Sequence, residues 1–143
     1  MRSYLIVANQ TLASPTLAAA VAERIAAGPA AFHVVVPATP IQHGLTWDEA
    51  EARAAAAERL AAVLDRLRDL GTEASGEVGS KDPVAAVRDA LRDRECDEII
   101  LSTLPVGISR WLGQDVPSRL KSAVHVPVVV VTAARESAAA TNG

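Results

Sequence analysis

The stretch "STLPVGISRWLGQDVPSRL", Ser102–Leu120, carries residue types that could hold a phosphate. It follows the apolar run "DEIIL" and leads into a segment of helical period. In a parallel α/β sheet, the loop between a central strand and the next helix is a common anion site, because backbone N–H groups and the positive end of the helix dipole face the ligand. Its candidate ligand-binding residues are Ser102, Thr103, Gly107, Ser109, Arg110, Gly113, Gln114 and Asp115.

A second polar segment, Asn9-Gln10-Thr11, directly follows the first apolar run of the chain. The Asn9 amide could hydrogen-bond a base or a ribose, and it could equally cap its own turn. We expect Asn9, Gln10 and Thr11 to line the same crevice as the Ser102–Leu120 loop.

Three residues of the loop work against a phosphate. Pro105 and Pro117 lack a backbone N–H, and Asp115 at the start of the helix places a carboxylate where a phosphate would dock. At about 5 Å and an effective dielectric near 20, two unit charges repel by roughly 3 kcal/mol, against 0.3 to 1 kcal/mol from a helix dipole. The repulsion disfavours ATP, and no cofactor is expected. A bridging Mg²⁺ or Arg110 could offset the repulsion, so ATP with Mg²⁺ stays possible.

The other reactive side chains have structural interpretations. His43 has no serine, cysteine or acid at a spacing typical of a catalytic group. A lone tryptophan such as Trp111 more often packs over apolar protein surface than stacks on a planar ligand. His33 alternates with the apolar residues of its strand, and His125 ends a helix. Cys96, the only cysteine, precedes a strand and is expected to be a small buried side chain, so no metal site or disulfide is predicted.

Short apolar runs alternate with longer segments of helical period, as in βαβ units around a parallel sheet. The predicted strands are 4–8, 32–38, 72–78, 98–102 and 126–132. The predicted helices begin at Pro15, after the capping box Thr46–Glu49, after Asp82 and after Asp115; the second runs to Leu70, before Gly71. Polar "TEASGEV" suits a sheet edge, whereas "YLIVA" and "EIILS" suit the covered centre.

Composition limits the functional classes. The 143 residues, 50% hydrophobic with a net charge of -3, fit one domain, residues 1–132, and the period-free tail 133–143 is expected to be flexible. The acidic balance and 3% aromatic content argue against nucleic acid. No apolar run reaches the length of a signal peptide or a membrane span, so a cytoplasmic location without membrane contact is predicted.

Several segments, in this order and spacing, resemble the universal stress protein family. They are "YLIVANQTLASPTLAAAV", "GEVGSKDPVAAVRDAL", "CDEIILST" and "VHVPVVVV", and the resemblance covers Tyr4 to Thr132. It implies a single three-layer α/β domain with a five-stranded parallel sheet in the order 3-2-1-4-5, a Rossmann-like fold of the adenine nucleotide alpha hydrolase type.

The nucleotide motif of that family is altered here. Its members have a Val-Asp-Gly-Ser type turn after the first strand, where this chain has Asn9-Gln10-Thr11. Nucleotide-binding members carry G-x2-G-x9-G-[ST] after the fourth strand. Ser102 and Pro105 occupy the first two glycine positions, and Gln114-Asp115 occupies the final pair. The resemblance therefore implies a degenerate nucleotide site.

The last strand is predicted to form a homodimer. "VPVVVV" is as apolar as a central strand, yet the implied strand order places it at an edge, where an uncovered apolar strand invites aggregation. In the resembling family this strand pairs with its counterpart across a two-fold axis. The expected interface residues are Val128 and Val130, or Val129 and Val131.

Sharper catalytic motifs are absent, including G-x-G-x-x-G, G-x4-G-K-[ST], H-E-x-x-H and G-x-S-x-G. Three functions stay open: a non-catalytic stress-response or regulatory domain acting as a homodimer, an adenine-nucleotide-binding sensor, and a small enzyme with an unfamiliar site. The altered glycines favour the first, with a small polar or anionic ligand in the crevice.

Overall fold

Strands and helices alternate along the chain, as the apolar runs predict. The computed structural model describes residues 1–8, 15–38, 49–103 and 115–132. The elements are β1 (Arg2–Ala8), α1 (Pro15–Ala27), β2 (Ala30–Pro37), α2 (Glu49–Asp69), β3 (Glu73–Gly79), α3 (Pro83–Ala90), β4 (Glu98–Thr103), α4 (Val116–Ala123) and β5 (Val128–Thr132). The predicted strands agree with the observed ones to within two residues at each end.

The five strands form one sheet in the order β3-β2-β1-β4-β5, and every neighbouring pair is parallel. This confirms the predicted fold class and the adjacency of the first and fourth strands. Polar β3 lies at one edge and apolar β5 at the other. β1 occupies the centre and is buried from Tyr4 to Ala8, because helices cover both faces of the sheet there.

The core has two layers, one on each face of the sheet. Tyr4, Ile6 and Ala8 of β1 pack with α1 and α2. Leu5 and Val7 point the other way and pack with α3 and α4. Because successive residues of a strand face opposite sides, one continuous apolar run fills both layers.

Local signals explain where the helices begin and end. Pro15 is the first residue of α1, and Gly28 follows its end at φ 151°, a backbone angle that suits glycine. Asp82 caps α3, since its carboxylate accepts a hydrogen bond from the Val84 N–H at 3.2 Å. Gly71 follows the α2 turn at φ 84°, as its predicted role requires. The predicted capping box at Thr46–Glu49 and the tail 133–143 lie outside the described residues.

The helix α2 approaches the edge strand β3 closely at one point. A Cβ added to Gly76 would lie 2.5 Å from Leu60 Cδ1 and 2.8 Å from the Val34 carbonyl oxygen. Only glycine, which has no side chain, allows this approach. The 21-residue helix α2 can therefore pack closely against the polar strand β3.

Among the helices within the described ranges, none is both long and apolar enough to cross a membrane.

Candidate functional site

The strand order predicts a crevice at the carboxyl ends of β1 and β4. These strands are direct neighbours, and Ala8 lies opposite Ser102 in their register. The helices that follow β1 and β2, α1 and α2, cover one face of the sheet, while α3 and α4 cover the other face. Ligands of open α/β sheets bind where the chain direction divides in this way, outside the carboxyl ends of the strands. Segments 9–14 and 104–114, which follow β1 and β4 along the chain, lie outside the described residues.

The structure describes three of the predicted ligand-binding residues. Ser102 and Thr103 form the end of β4, and Asp115 directly precedes α4. The remaining candidates lie outside the described residues; they are Asn9, Gln10, Thr11, Gly107, Ser109, Arg110, Gly113 and Gln114. His43, Pro105 and Trp111 lie outside them as well.

Hydroxyl groups gather where β4, β5 and α1 meet. Ser102 and Thr103 are fully buried. The Thr103 hydroxyl lies 3.4 Å from that of Thr132, the last residue of β5, and the Thr16 hydroxyl donates to the Thr132 carbonyl at 3.1 Å. Thr16 and Thr132 were not among the predicted residues, although a threonine that ends an apolar strand and a threonine in a first helical turn are visible in the sequence.

The predicted cap at the start of α4 is wrong in one respect. Asp115 occupies the N-cap position, but its carboxylate makes no capping hydrogen bond, whereas Asp82 does cap α3. Its backbone is left-handed, at φ 56° and ψ 38°, and the residue is exposed. The left-handed region tolerates aspartate and asparagine better than other residues with a side chain.

The exposure of Asp115 weakens the repulsion expected from the sequence. In water, with a dielectric constant near 80, two unit charges about 5 Å apart repel by about 1 kcal/mol. This is close to the 0.3 to 1 kcal/mol that a helix dipole contributes in favour of an anion. Pro117 at the second position of α4 still removes one N–H donor. The helix start therefore suits a singly charged group better than a triphosphate.

One cation near the crevice was also missed. Arg119 lies one turn into α4, and its guanidinium is 3.4 Å from the Asp82 carboxylate, so it joins the starts of α3 and α4. Both side chains are about half exposed, and pairs of this kind contribute up to about 1 kcal/mol. A basic residue four positions after Asp115 is the sequence signal for it.

The histidine and cysteine interpretations are confirmed in part. His33 is buried, and its Nδ1 lies 2.8 Å from the Ser75 hydroxyl. Burial lowers the pKa of His33 below its ordinary value, and the nearby Arg94 adds to the effect, while Glu77 opposes it. Cys96 is half-buried beside the α3–α4 layer, where burial and Asp97 raise the pKa of its thiol. His125 is exposed.

The expected interface strand is an edge in the structure. Val128–Val131 are half-buried; Val128 and Val130 pack toward the α3–α4 layer, and Val131 packs toward the α1–α2 layer. The Ile99 N–H donates to the Pro127 carbonyl at 2.9 Å. In a parallel pair the backbone groups of alternate residues face the neighbour, so those of Val128 and Val130 face the open edge.

The fold is that of a known group of solved structures. A universal stress protein family structure from Burkholderia pseudomallei matches 90% of this chain and 94% of its own, with a TM-score of 0.62 and 16% identity. A universal stress protein in complex with cAMP matches 93% of this chain and 98% of its own, with a TM-score of 0.61 and 18% identity. A universal stress protein family structure from Arabidopsis thaliana with AMP bound matches 96% of this chain and 95% of its own, with a TM-score of 0.59 and 8% identity.

The chain has the universal stress protein fold. The predicted resemblance is confirmed at the level of architecture and strand order, over nearly the whole length of each universal stress protein compared. Neither the scan against protein-family models nor the search of curated proteins gives a match.

Proposed function

We propose that this chain is a non-catalytic regulatory domain of the universal stress protein type, acting as a homodimer paired through β5. Its crevice is a degenerate nucleotide site. The observation that supports this best is the start of α4, where an exposed acid, Asp115, directly precedes the helix and Pro117 occupies its first turn. A triphosphate would meet negative charge there and find one donor fewer.

A second candidate, a sensor of adenine nucleotides, is favoured by two of the similar structures, which hold cAMP and AMP. Both ligands are monophosphates. A monophosphate would be repelled less by Asp115 than a triphosphate, because the repulsion grows with the charge on the ligand. The two candidates therefore differ in the affinity for AMP and cAMP more than in the affinity for ATP.

Titration calorimetry with AMP, cAMP and ATP plus Mg²⁺ distinguishes the degenerate site from the nucleotide sensor. The proposed degenerate site predicts dissociation constants above about 100 μM for the monophosphates and no tighter binding for ATP, whereas a sensor would reach about 1 to 10 μM. Sedimentation of the same sample reports whether the chain is a dimer.

Catalysis is tested by phosphate release from ATP. We expect no turnover above the buffer rate. Turnover that is lost in Ser102→Ala or in Asp115→Asn would contradict the non-catalytic assignment and promote the third possibility, a small enzyme with an unfamiliar site.

A further inference from the structure

A large pocket opens at the amino ends of the strands, opposite the crevice. It lies between the end of α3 with its following turn, residues 88–96, and the end of α4 with its following turn, residues 123–126. Its volume is about 580 Å³, within the range of sites that hold small organic ligands. We refer to it below as the amino-end pocket.

The floor of the amino-end pocket is apolar and is packed against the core. Leu91, Cys96, Val124 and Val126 line it, and all four are half-buried and pack against the α3–α4 layer of the core. The raised pKa of Cys96 keeps its thiol neutral at neutral pH. An apolar group entering the pocket would therefore meet preformed apolar surface.

The rim of the pocket is positively charged. Arg88, Arg92 and Arg94 line it against the single acid Glu95, which gives the lining a net charge of +2 with His125 neutral. The whole chain has a net charge of -3, so this local excess is not a reflection of overall composition. Arg92 lies 3.5 Å from Asp89, in an exposed pair. Within the described part of the chain, Arg88 and Arg94 have no ion pair with a carboxylate.

A favourable interaction with a helix dipole explains the positions of only some of these arginines. Arg88 lies in the last turn of α3, where a cation favours the negative helix end. That effect falls off within the last turn, and Arg94 lies four residues beyond the end of α3. The carbonyl ends of α3 and α4 at this pocket would also oppose a ligand with several negative charges.

We propose that the amino-end pocket binds a small monocarboxylate with an apolar body. The arginine side chains at the rim match a carboxylate, which a guanidinium can bind through two parallel hydrogen bonds. The apolar floor takes the hydrocarbon part of the ligand. The pocket is separate from the crevice at the carboxyl ends of the strands, so the proposal stands whether or not a nucleotide binds there.

Two-dimensional amide NMR of the full chain, titrated with octanoate and in parallel with octan-1-ol, tests the proposal. We expect saturable shifts from octanoate at residues 88–96 and 123–126, with at least tenfold weaker binding of the neutral alcohol. Arg88→Gln combined with Arg94→Gln should weaken octanoate binding at least tenfold. Both arginines are exposed, so the fold should be retained, and the amide spectrum itself reports this.

The matched control is Arg53→Gln combined with Arg59→Gln on α2. It removes the same charge from the chain and should leave octanoate binding unchanged. The proposal is overturned if octanoate fails to saturate by about 10 mM, beyond which binding is weaker than about 3 kcal/mol. Equal binding of octan-1-ol, shifts centred elsewhere, or an equal loss in the control pair would overturn it too.

Discussion

His33 is a buried residue whose positively charged form is disfavoured by its surroundings. Its Nδ1 is paired with Ser75, and its Nε2 is buried without a hydrogen-bond partner in the described structure, although Glu77 lies 3.8 Å away. A neutral imidazole leaves one nitrogen without a proton, and burial lowers the pKa from the ordinary 6.5 because a charged ring would lose its hydration. The environment of His33 therefore selects the neutral form.

We expect the stability of the protein to depend on pH through His33. The folded state has the lower pKa, so the unfolded chain binds more protons as the pH falls. The stabilisation is fully present above the unfolded pKa of about 6.5 and is lost as the pH falls from there through the folded pKa. Urea denaturation at about pH 8 and about pH 5.5 measures the loss, which should be smaller in His33→Gln. An identical pH dependence in the variant would assign the effect to other groups.

The second prediction at the residue scale concerns the carboxylate of Asp115. Asp115→Asn removes the charge while keeping a residue that tolerates the left-handed backbone at φ 56°. If the carboxylate repels phosphate, AMP affinity should rise by a few fold, in line with about 1 kcal/mol of screened repulsion, and ATP affinity should rise more. Calorimetry at low salt measures both.

Glu73→Gln is the charge control for that measurement, because Glu73 lies on the opposite edge strand and is exposed. An unchanged AMP affinity in Asp115→Asn would place the phosphate site away from the start of α4.

At the scale of elements, the contact of α2 with β3 depends on one glycine. Gly76→Ala would place a Cβ against both Leu60 and the Val34 carbonyl. The backbone oxygen cannot move aside as a flexible side chain can, so we expect a loss of about 1 to 3 kcal/mol in the free energy of unfolding. Urea denaturation checks it.

Ala74→Gly on the same strand is the comparison for backbone flexibility. It removes a half-buried methyl without creating a clash, and we expect it to cost about 1 kcal/mol. A Gly76→Ala protein as stable as the wild type would mean that α2 shifts freely on the sheet.

At the scale of the whole molecule, the two edges of the sheet differ in kind. β3 exposes polar residues, whereas β5 presents four half-buried valines and outward-facing backbone groups at Val128 and Val130. An apolar edge of this kind favours pairing with another strand. This asymmetry is the basis for the proposed dimer.

Val130→Pro tests the dimer without breaking the ladder to β4. Proline lacks the N–H that faces the open edge, and edge strands tolerate it. We expect sedimentation to show a dimer for the wild type and a monomer for Val130→Pro, and the charged variants Val129→Lys and Val130→Lys should give monomer or insoluble protein. Glu73→Lys, on the β3 edge, should stay dimeric. A monomeric wild type at micromolar concentration would remove the proposed dimer.

The sequence by itself determined the architecture. Apolar runs such as Tyr4–Ala8 and Glu98–Ser102 are typical of strands in a sheet covered on both faces. Pro15, Gly71 and Asp82 mark helix ends by backbone constraints that act locally. These signals depend on neighbours along the chain, so they can be read without knowing which elements meet in space.

Only the tertiary structure decided what lies at the two ends of the sheet. The left-handed backbone of Asp115 and the pairing of Arg119 with Asp82 depend on how α3 and α4 sit side by side. The amino-end pocket likewise joins residues 88–96 and 123–126, which are distant along the chain. Side chains from separate segments acquire a common environment only when packing brings them together, and no local periodicity records that arrangement.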